Sequence, residues 1–274
     1  MSVRGAFERD GYVFPLRVMS PAGAAEHRAA FEAIEAEYAH DPDATRIVKQ
    51  FANIVLPFVD EIMRLPSIVE PVASILGDDL IVMGANFFVK EPRTPDFISW
   101  HQDLTYWGYD DVSEVTAWVA LSPATSASGC MRFVPGSHHE LVAHSDTFDE
   151  SNMLSRGQEV AVDVDEADAV EAILRPGEMS LHHGHLFHAS KPNTSDDRRI
   201  GLALRFVTPS MRQVSGQQTF GHLVAGEDRF GHFELLPPAT DVMADVDVAN
   251  ARRALAMQDA IGYSGAPAPG KRPG

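Results

Sequence analysis

Residues 80–90, LIVMGANFFVK, mark the point at which the periodicity of the chain changes. Their two apolar runs, 80–83 and 86–90, are rich in β-branched and aromatic residues and are typical of strands. The chain before them is mostly helical in pattern, whereas short apolar runs separated by turns follow. This order predicts a mainly β fold, an antiparallel sandwich or barrel with N-terminal helices packed on one side.

The clearest helix start upstream is Ser20-Pro21, because serine caps free backbone amides and proline tolerates the first helical position. This helix is expected to reach about Tyr38, and the run 40–43, HDPD, is expected to end it. The other helices expected before the sheet are a short one ahead of the turn at Asp10-Gly11 and the stretches 54–65 and 66–76.

Two later strands have informative faces. In 115–121, VTAWVAL, Thr116 and Trp118 share a face, and the tryptophan is either a pocket wall or plain core. In 199–207, Arg199, Gly201, Ala203 and Arg205 share one face, and the residues between them are all apolar. Small residues beside an arginine leave room for a ligand. Further strands are expected at 97–100, 130–134 and 179–188.

Composition bounds the function. The chain has 274 residues, 45% of them hydrophobic, which suits one large domain. Its formal net charge of −17 argues against nucleic acid or an anionic membrane as partner. The single cysteine, Cys130, excludes an internal disulfide and a cysteine-based zinc site. Without an apolar signal-type segment or a membrane-length apolar run, a cytoplasmic protein is expected, as a monomer or homodimer.

The expected organisation is a single domain over 1–262 followed by a disordered tail over 263–274, which is rich in proline and glycine. Within the domain we expect a helical part, 1–77, a β core, 78–210, and a C-terminal extension, 211–262. The acidic stretch 140–172 interrupts the β core with little periodicity. A long insertion of this kind is often a lid.

The motif with the most chemistry is SWHQDL at 99–104. It places His101 and Asp103 two residues apart, and in an extended chain such residues point to the same side. A histidine from a distant strand, His188, completes a set of two imidazoles and one carboxylate. This set is the facial triad of non-haem Fe(II) sites. Spacing alone leaves open a rival triad that uses His182 or His185.

Four segments together resemble the phytanoyl-CoA dioxygenase family. They are DGYV at 10–13, WHQD at 100–103, GCMRFVPGSH at 129–138 and HASKPN at 188–193, the last followed by Arg199. They occur in the right order over roughly residues 5–210. The resemblance implies a double-stranded β-helix, the jelly-roll or cupin-like fold, and an Fe(II)- and 2-oxoglutarate-dependent oxygenase that consumes O2.

The resemblance also assigns roles to residues. His101, Asp103 and His188 are expected to bind iron, and Arg199 to pair with the distal carboxylate of 2-oxoglutarate. Because the family's halogenases lack the carboxylate ligand, Asp103 favours hydroxylation. Further positions expected at the co-substrate are Ser190, Trp118, Thr116, Lys90 and Asn86. Positions expected at the substrate are Trp107, Tyr106, His182 and Phe88.

The expected reaction is hydroxylation of an unactivated C–H bond in a small molecule, with release of succinate and CO2. Two other functions use the same residues. A cupin-like metal dioxygenase would cleave its own substrate without 2-oxoglutarate, and a metal-retaining scaffold would catalyse nothing. Arg199 discriminates between the 2-oxoglutarate-dependent oxygenase and the cupin-like dioxygenase, because only the former needs the guanidinium to bind 2-oxoglutarate.

Overall fold

The computed structural model of the chain describes residues 2–154 and 157–262, so the expected tail, 263–274, lies outside the described residues. The helices are α1 (Val3–Asp10), α2 (Pro21–Glu37), α3 (Pro42–Gln50), α4 (Ala52–Val55), α5 (Pro57–Met63), α6 (Pro66–Leu76) and α7 (Asp245–Gly262). The strands are β1 (Tyr12–Arg17), β2 (Leu80–Lys90), β3 (Ile98–His101), β4 (Glu114–Ala120), β5 (Met131–Phe133), β6 (His144–Asp146), β7 (Gln158–Val160), β8 (Val170–Glu171), β9 (Glu178–His182), β10 (His188–Ser190), β11 (Arg199–Val207), β12 (Thr219–Ala225) and β13 (Phe233–Leu235).

Most strands belong to two sheets. The main sheet has seven strands in the order β1-β9-β4-β11-β2-β12-β13, antiparallel except for the last pair. The second sheet has four, in the order β3-β10-β5-β8. From β2 to β5 and again from β8 to β11, successive strands alternate between these two sheets, as in a jelly roll. The expected fold, a double-stranded β-helix, is confirmed.

The helices cover one face of the main sheet. Side chains from α2 to α6 form a single apolar core with alternate residues of β2, β4, β9 and β11. Phe31 of α2 stacks on Phe87 of β2, with 4.0 Å between ring centroids. The opposite face of the main sheet looks toward the second sheet. The expected packing of N-terminal helices on one side is therefore confirmed.

Helix capping explains one success and one error in the sequence analysis. Ser20 caps α2 as expected, its Oγ accepting the Gly23 N–H at 3.1 Å. The run 40–43 does not simply end α2, however. Asp41 caps a further helix, α3, by accepting the backbone N–H groups of Asp43 and Ala44 at 3.0 and 3.1 Å. Asp-Pro is thus a start signal here, for the same reason as Ser-Pro.

The single strand expected over 179–188 is wrong. It is two strands, β9 in the main sheet and β10 in the second sheet. Between them the chain turns, with the Leu186 N–H bonded to the His183 carbonyl at 2.8 Å. Gly184 fits at this crossing because a Cβ there would lie 2.5 Å from the Leu104 side chain. Alternation in the sequence continues through the turn, so periodicity alone cannot detect it.

The division at 78 and 210 is also too sharp, since β1 joins the main sheet from the N-terminal part and β12 and β13 join it from the C-terminal extension. The insertion 140–172 contains β6, β7 and β8. It is attached to β3, where the Asn152 side chain donates to the Ser99 hydroxyl at 2.7 Å. Of the helices in the described chain, none is both long and apolar enough to cross a bilayer.

Candidate metal centre

Two neighbouring strands of the second sheet bring the candidate ligands together. His188 of β10 is the direct cross-strand partner of His101 of β3, and their ring centroids are 4.0 Å apart. An Asp103 carboxylate oxygen lies 3.3 Å from Nε2 of His101 and 4.0 Å from Nε2 of His188. The three ligand atoms all lie within 4.8 Å of one another. One ion can therefore contact all three side chains.

The backbone at Asp103 differs from the extended conformation assumed from the spacing. β3 ends at His101, and Asp103 has helical dihedral angles, φ −64° and ψ −50°, at the start of a short 3-10 turn. The convergence of the two side chains therefore comes from this turn. The rule that residues two apart share a strand face therefore identifies the correct pair, His101 and Asp103, although the local structure that brings them together is a turn and not a strand.

Backbone carbonyls set the orientation of both imidazoles. Nδ1 of His101 bonds to the Ser99 carbonyl and Nδ1 of His188 to the Leu186 carbonyl, each at 2.9 Å. The Nδ1 atoms are thus occupied by backbone carbonyls, and Nε2 is the ring nitrogen of each histidine that lies toward Asp103 and can bind a metal. Such outer partners commonly fix the tautomer of metal-binding histidines.

The protonation states also suit a cation. Burial, with a contribution from the charge of His101, lowers the pKa of His188 to about 4. Burial alone would raise the pKa of Asp103, but its hydrogen bond with His101 and the nearby positive charges hold that pKa well below its usual range. Neutral imidazole and ionised carboxylate are the forms that bind metal. The donor set therefore fits a divalent ion such as Fe(II).

Gln102, between His101 and Asp103 in the chain, was not anticipated from the sequence. It is fully buried, and its amide nitrogen donates to the carbonyls of Glu140 and His185, both at 2.7 Å. Its amide oxygen accepts the Val142 N–H at 3.1 Å. This side chain ties the ligand turn both to the crossing before β10 and to the start of the insertion.

A small cavity opens beside the triad, between the two sheets. Six of the other side chains expected at the site line it: Phe88, Thr116, Trp118, His182, Ser190 and Arg199. His182 is close to the triad, with its ring centroid 4.9 Å from that of His188, but the converging group consists of His101, Asp103 and His188. Ala203 and Arg205, from the face of 199–207 that was expected to leave room for a ligand, also line the cavity. Its walls from Ile98, Met131 and Ala189 were not anticipated.

Arg199 is the most unusual group in the cavity wall, because its guanidinium is 1% exposed and has no carboxylate partner among the described residues. It donates to the Gly129 carbonyl at 2.7 Å and lies 5.3 Å from the centre of the Trp118 ring. Its Nε has no hydrogen-bond partner in the described structure. Burial lowers its pKa to about 10. A buried, unpaired cation is costly, so this site is built for an anion.

Trp118 reaches Arg199 because Gly201 leaves space for it. A Cβ at Gly201 would lie 1.8 Å from the indole. The indole therefore lies flat against the backbone of β11 and forms a wall between Arg199 and Ala203. The two possibilities left open for this tryptophan, pocket wall and core, both hold, because Trp118 lines the cavity and also packs in a buried apolar cluster with Phe133 and Ala203.

Three expected site residues do not line the cavity in the described structure. The Lys90 ammonium is buried and donates to the carbonyls of Ser190 and Lys191. Asn86 accepts a hydrogen bond from Arg205, and the Trp107 ring lies 4.9 Å from the same guanidinium. Their contribution to the cavity is thus indirect, through backbone or through Arg205. Tyr106 belongs to the 3-10 turn, and its side chain lies outside what the structure describes.

Two polar residues near the triad were missed. Arg205 shares the cavity face of β11 with Arg199, and this alternation was the signal that could have identified it. Glu114 is fully buried and accepts the Thr116 hydroxyl at 2.6 Å. Burial raises the pKa of Glu114 to about 8, so it is mainly protonated at neutral pH. No pattern in the sequence distinguishes it from an exposed glutamate at a strand start.

Comparison with known proteins places this geometry in a family. The family model for phytanoyl-CoA dioxygenase matches residues 7–201. A probable alpha-ketoglutarate-dependent hypophosphite dioxygenase of Stutzerimonas stutzeri is 24% identical over 65% of this chain and 64% of its own length. A phytanoyl-CoA dioxygenase domain-containing protein 1 of Danio rerio is 29% identical over 43% of this chain and 42% of its own. The chain thus spans less than two thirds of these relatives.

Solved structures agree over a longer part of the chain. The apo form of ThoJ, a non-heme monooxygenase, has a TM-score of 0.85 and 31% identity, with coverage of 94% of this chain and 96% of its own. CytC3 with Fe(II) and alpha-ketoglutarate has a TM-score of 0.64 at 21% identity over 85% of this chain and 90% of its own, which supports the fold. With the family model matched over most of its length, the chain belongs to the phytanoyl-CoA dioxygenase family.

Proposed function

We propose that this protein is an Fe(II)- and 2-oxoglutarate-dependent dioxygenase that hydroxylates a C–H bond of a small molecule. The observation that carries the proposal is the pairing, in one cavity, of an anionic triad with a buried guanidinium that lacks an anion. His101, Asp103 and His188 would hold the iron. Arg199 would bind the C5 carboxylate of 2-oxoglutarate in a bidentate, charge-assisted pair.

The bound iron supplies, with 2-oxoglutarate and O2, an oxidant able to attack an unactivated C–H bond. One oxygen atom of O2 enters the substrate as a hydroxyl group, and the other enters succinate as 2-oxoglutarate loses CO2. The protein's own contribution is position and exclusion of water. Trp118 and Phe88 give the cavity apolar walls, and Ser190 offers a buried hydroxyl that has no hydrogen-bond partner among the described residues.

Hydroxylation is the outcome that Asp103 favours, because it occupies the position that a halide would need. The names of structural neighbours include an epimerase and a carbocyclase, so this chemistry is diverse among proteins of this fold. A cupin-like dioxygenase that does not use 2-oxoglutarate would leave Arg199 without a function. A scaffold would have no reason to keep both the triad and the unpaired guanidinium.

The test is an anaerobic titration of the metal-free protein with Fe(II) and then 2-oxoglutarate, followed by visible absorption. We expect a weak metal-to-ligand charge-transfer band, which requires the keto acid to chelate the iron. Iron binding without the band would exclude the 2-oxoglutarate mechanism, and absence of iron binding would exclude both enzyme functions. Arg229→Gln is a matched control, since it removes an exposed, ion-paired arginine and should leave the band unchanged.

A further inference from the structure

The cavity contains a second arginine that the proposed mechanism does not use. Arg205 lines it on the same face of β11 as Arg199, six residues further along the strand. At about 3.3 Å per residue this is a separation of about 20 Å between the Cα atoms. The two side chains therefore start from well separated points on the strand, and a single small dicarboxylate bound at the iron needs only one of them.

Arg205 is held in place as a binding group would be. Its Nη1 donates to the Asn86 side-chain oxygen, and its guanidinium carbon lies 4.9 Å from the centre of the Trp107 ring. Its Nε is buried and has no hydrogen-bond partner in the described structure. Among the ion pairs of residues 2–154 and 157–262, those of Arg198 and Arg212 flank this position in the chain, and none involves Arg205. Asn86 and the Trp107 ring thus orient the guanidinium of Arg205, while its Nε–H is left without an acceptor among the described residues.

The two arginines also differ in their relation to the triad. Arg205 pairs across the main sheet with Thr116, whose other cross-strand partner is His182. Arg199 instead contacts the Gly129 carbonyl and the Trp118 ring. The part of the cavity wall next to Arg205 adjoins the triad, since the His182 ring centroid lies 4.9 Å from that of His188. With 2-oxoglutarate extending from the iron to Arg199, the space beside Arg205 is left for the substrate.

We infer that Arg205 binds an oxyanion of the substrate, a carboxylate or a phosphorus oxyanion, and that the enzyme therefore acts on small acids. The inference rests on the proposed function, since it assigns the other end of the cavity to 2-oxoglutarate. Guanidinium matches both kinds of oxyanion with two parallel hydrogen bonds. Such a contact fixes the substrate relative to the iron and so selects which C–H bond is oxidised.

The test measures binding in the absence of turnover. The protein is loaded with Fe(II) and 2-oxoglutarate without O2, the charge-transfer band is recorded, and matched pairs of small acids and their neutral amides are then titrated by calorimetry. One series carries carboxylates and a second carries phosphonates, compared with their neutral esters, to distinguish the two kinds of anion. We expect at least one series to bind tenfold or more tightly in the acid form.

Two variants assign that preference to the residue. Arg205→Gln should abolish the preference while the charge-transfer band remains, because Arg199 still holds 2-oxoglutarate. Asn86→Asp keeps the size of the side chain and gives Arg205 an internal carboxylate partner, so it should weaken acid binding about tenfold. Arg229→Gln removes the same charge at an exposed site and should change neither result.

The outcomes separate this inference from the proposed function. If the band does not form in the unmodified protein, the proposed function fails. If the band forms but no acid binds more tightly than its neutral partner, or the preference persists in Arg205→Gln and in Asn86→Asp, the role assigned to Arg205 is wrong. Loss of the band in Arg205→Gln with retention in Arg199→Gln would overturn the assignment of the two ends.

Discussion

The two faces of β11 have different roles: one packs in the apolar core and stabilises the fold, and the other lines the cavity beside the candidate metal centre. On one face Ile200, Leu202, Leu204 and Phe206 are fully buried in the apolar core beneath the helices. The other face presents Arg199, Ala203 and Arg205 to the cavity, with Gly201 beneath an indole. Because successive side chains point to opposite sides, adjacent residues serve different purposes. Substitutions one position apart should therefore change different measurements.

The largest effect is expected at the metal position itself. Asp103→Ala should weaken iron binding by at least about 1000-fold, since loss of a ligand exceeds the 10- to 100-fold effect of outer partners. The melting temperature of the metal-free protein should also fall, because the depressed pKa of Asp103 means that His101 and the nearby positive charges stabilise its carboxylate in the folded state. Metal analysis after equilibrium dialysis measures the first and calorimetry the second. Iron binding equal to that of the unmodified protein would remove Asp103 from the ligand set.

The cavity face should respond next at Arg199. Arg199→Gln should raise the 2-oxoglutarate concentration needed for the charge-transfer band by about 100-fold, because a buried charge pair is lost. The metal-free variant should be as stable as the unmodified protein or more so, since the guanidinium has no anion there. An unchanged 2-oxoglutarate requirement would favour the cupin-like alternative.

The core face should give the opposite result. Leu202→Ala should lower the free energy of unfolding by about 4 kcal/mol, through lost burial and a cavity. Its iron affinity and 2-oxoglutarate requirement should remain unchanged in the folded fraction. The measurement is urea unfolding of the metal-free Leu202→Ala protein. Its free energy of unfolding is compared with that of Ala203→Ser, a variant on the cavity face. A Leu202→Ala protein that is stable but binds 2-oxoglutarate poorly would contradict the division between the faces.

A further effect concerns pH and a histidine of β12. Burial lowers the pKa of His222 to about 4, and neither ring nitrogen has a hydrogen-bond partner in the described structure. The unfolded chain binds this proton more readily, so stability is present above pH ~6.5 and is lost as the pH falls toward 4, by up to about 3 kcal/mol. His222→Gln should flatten the pH dependence of unfolding, whereas the exposed His40→Gln should not.

The parts of the fold that could be predicted depend on local signals. The Ser20-Pro21 start, the alternation along 199–207 and the apolar run 115–121 each carry their own information, and the family resemblance adds the order of strands. Strand β12 was missed because a glycine and a histidine interrupt its apolar pattern. The break between β9 and β10 depends on which sheet each strand joins, and that is settled by distant partners.

The site was predictable to the same degree. The triad and Arg199 belong to short sequence motifs that resemble those of the family. The alternation of side chains along β4 indicated Thr116 and Trp118. Lys90, Asn86 and Trp107 were placed by loose alignment, and their partners in the structure are a pair of carbonyls and Arg205. Gln102 could not be recognised, because its three hydrogen bonds go to backbone groups far along the chain.

The pairing of His101 with His188 has a consequence for how the protein folds. The two imidazoles are direct partners across adjacent strands, although 87 positions (188 − 101) separate them in the chain. An ion held between them ties the ends of that long loop, and only the native pairing offers the complete ligand set. Metal availability then acts as a thermodynamic partner of folding, raising stability in proportion to the logarithm of its free concentration. Cells short of iron would contain a less protected protein as well as a less active one.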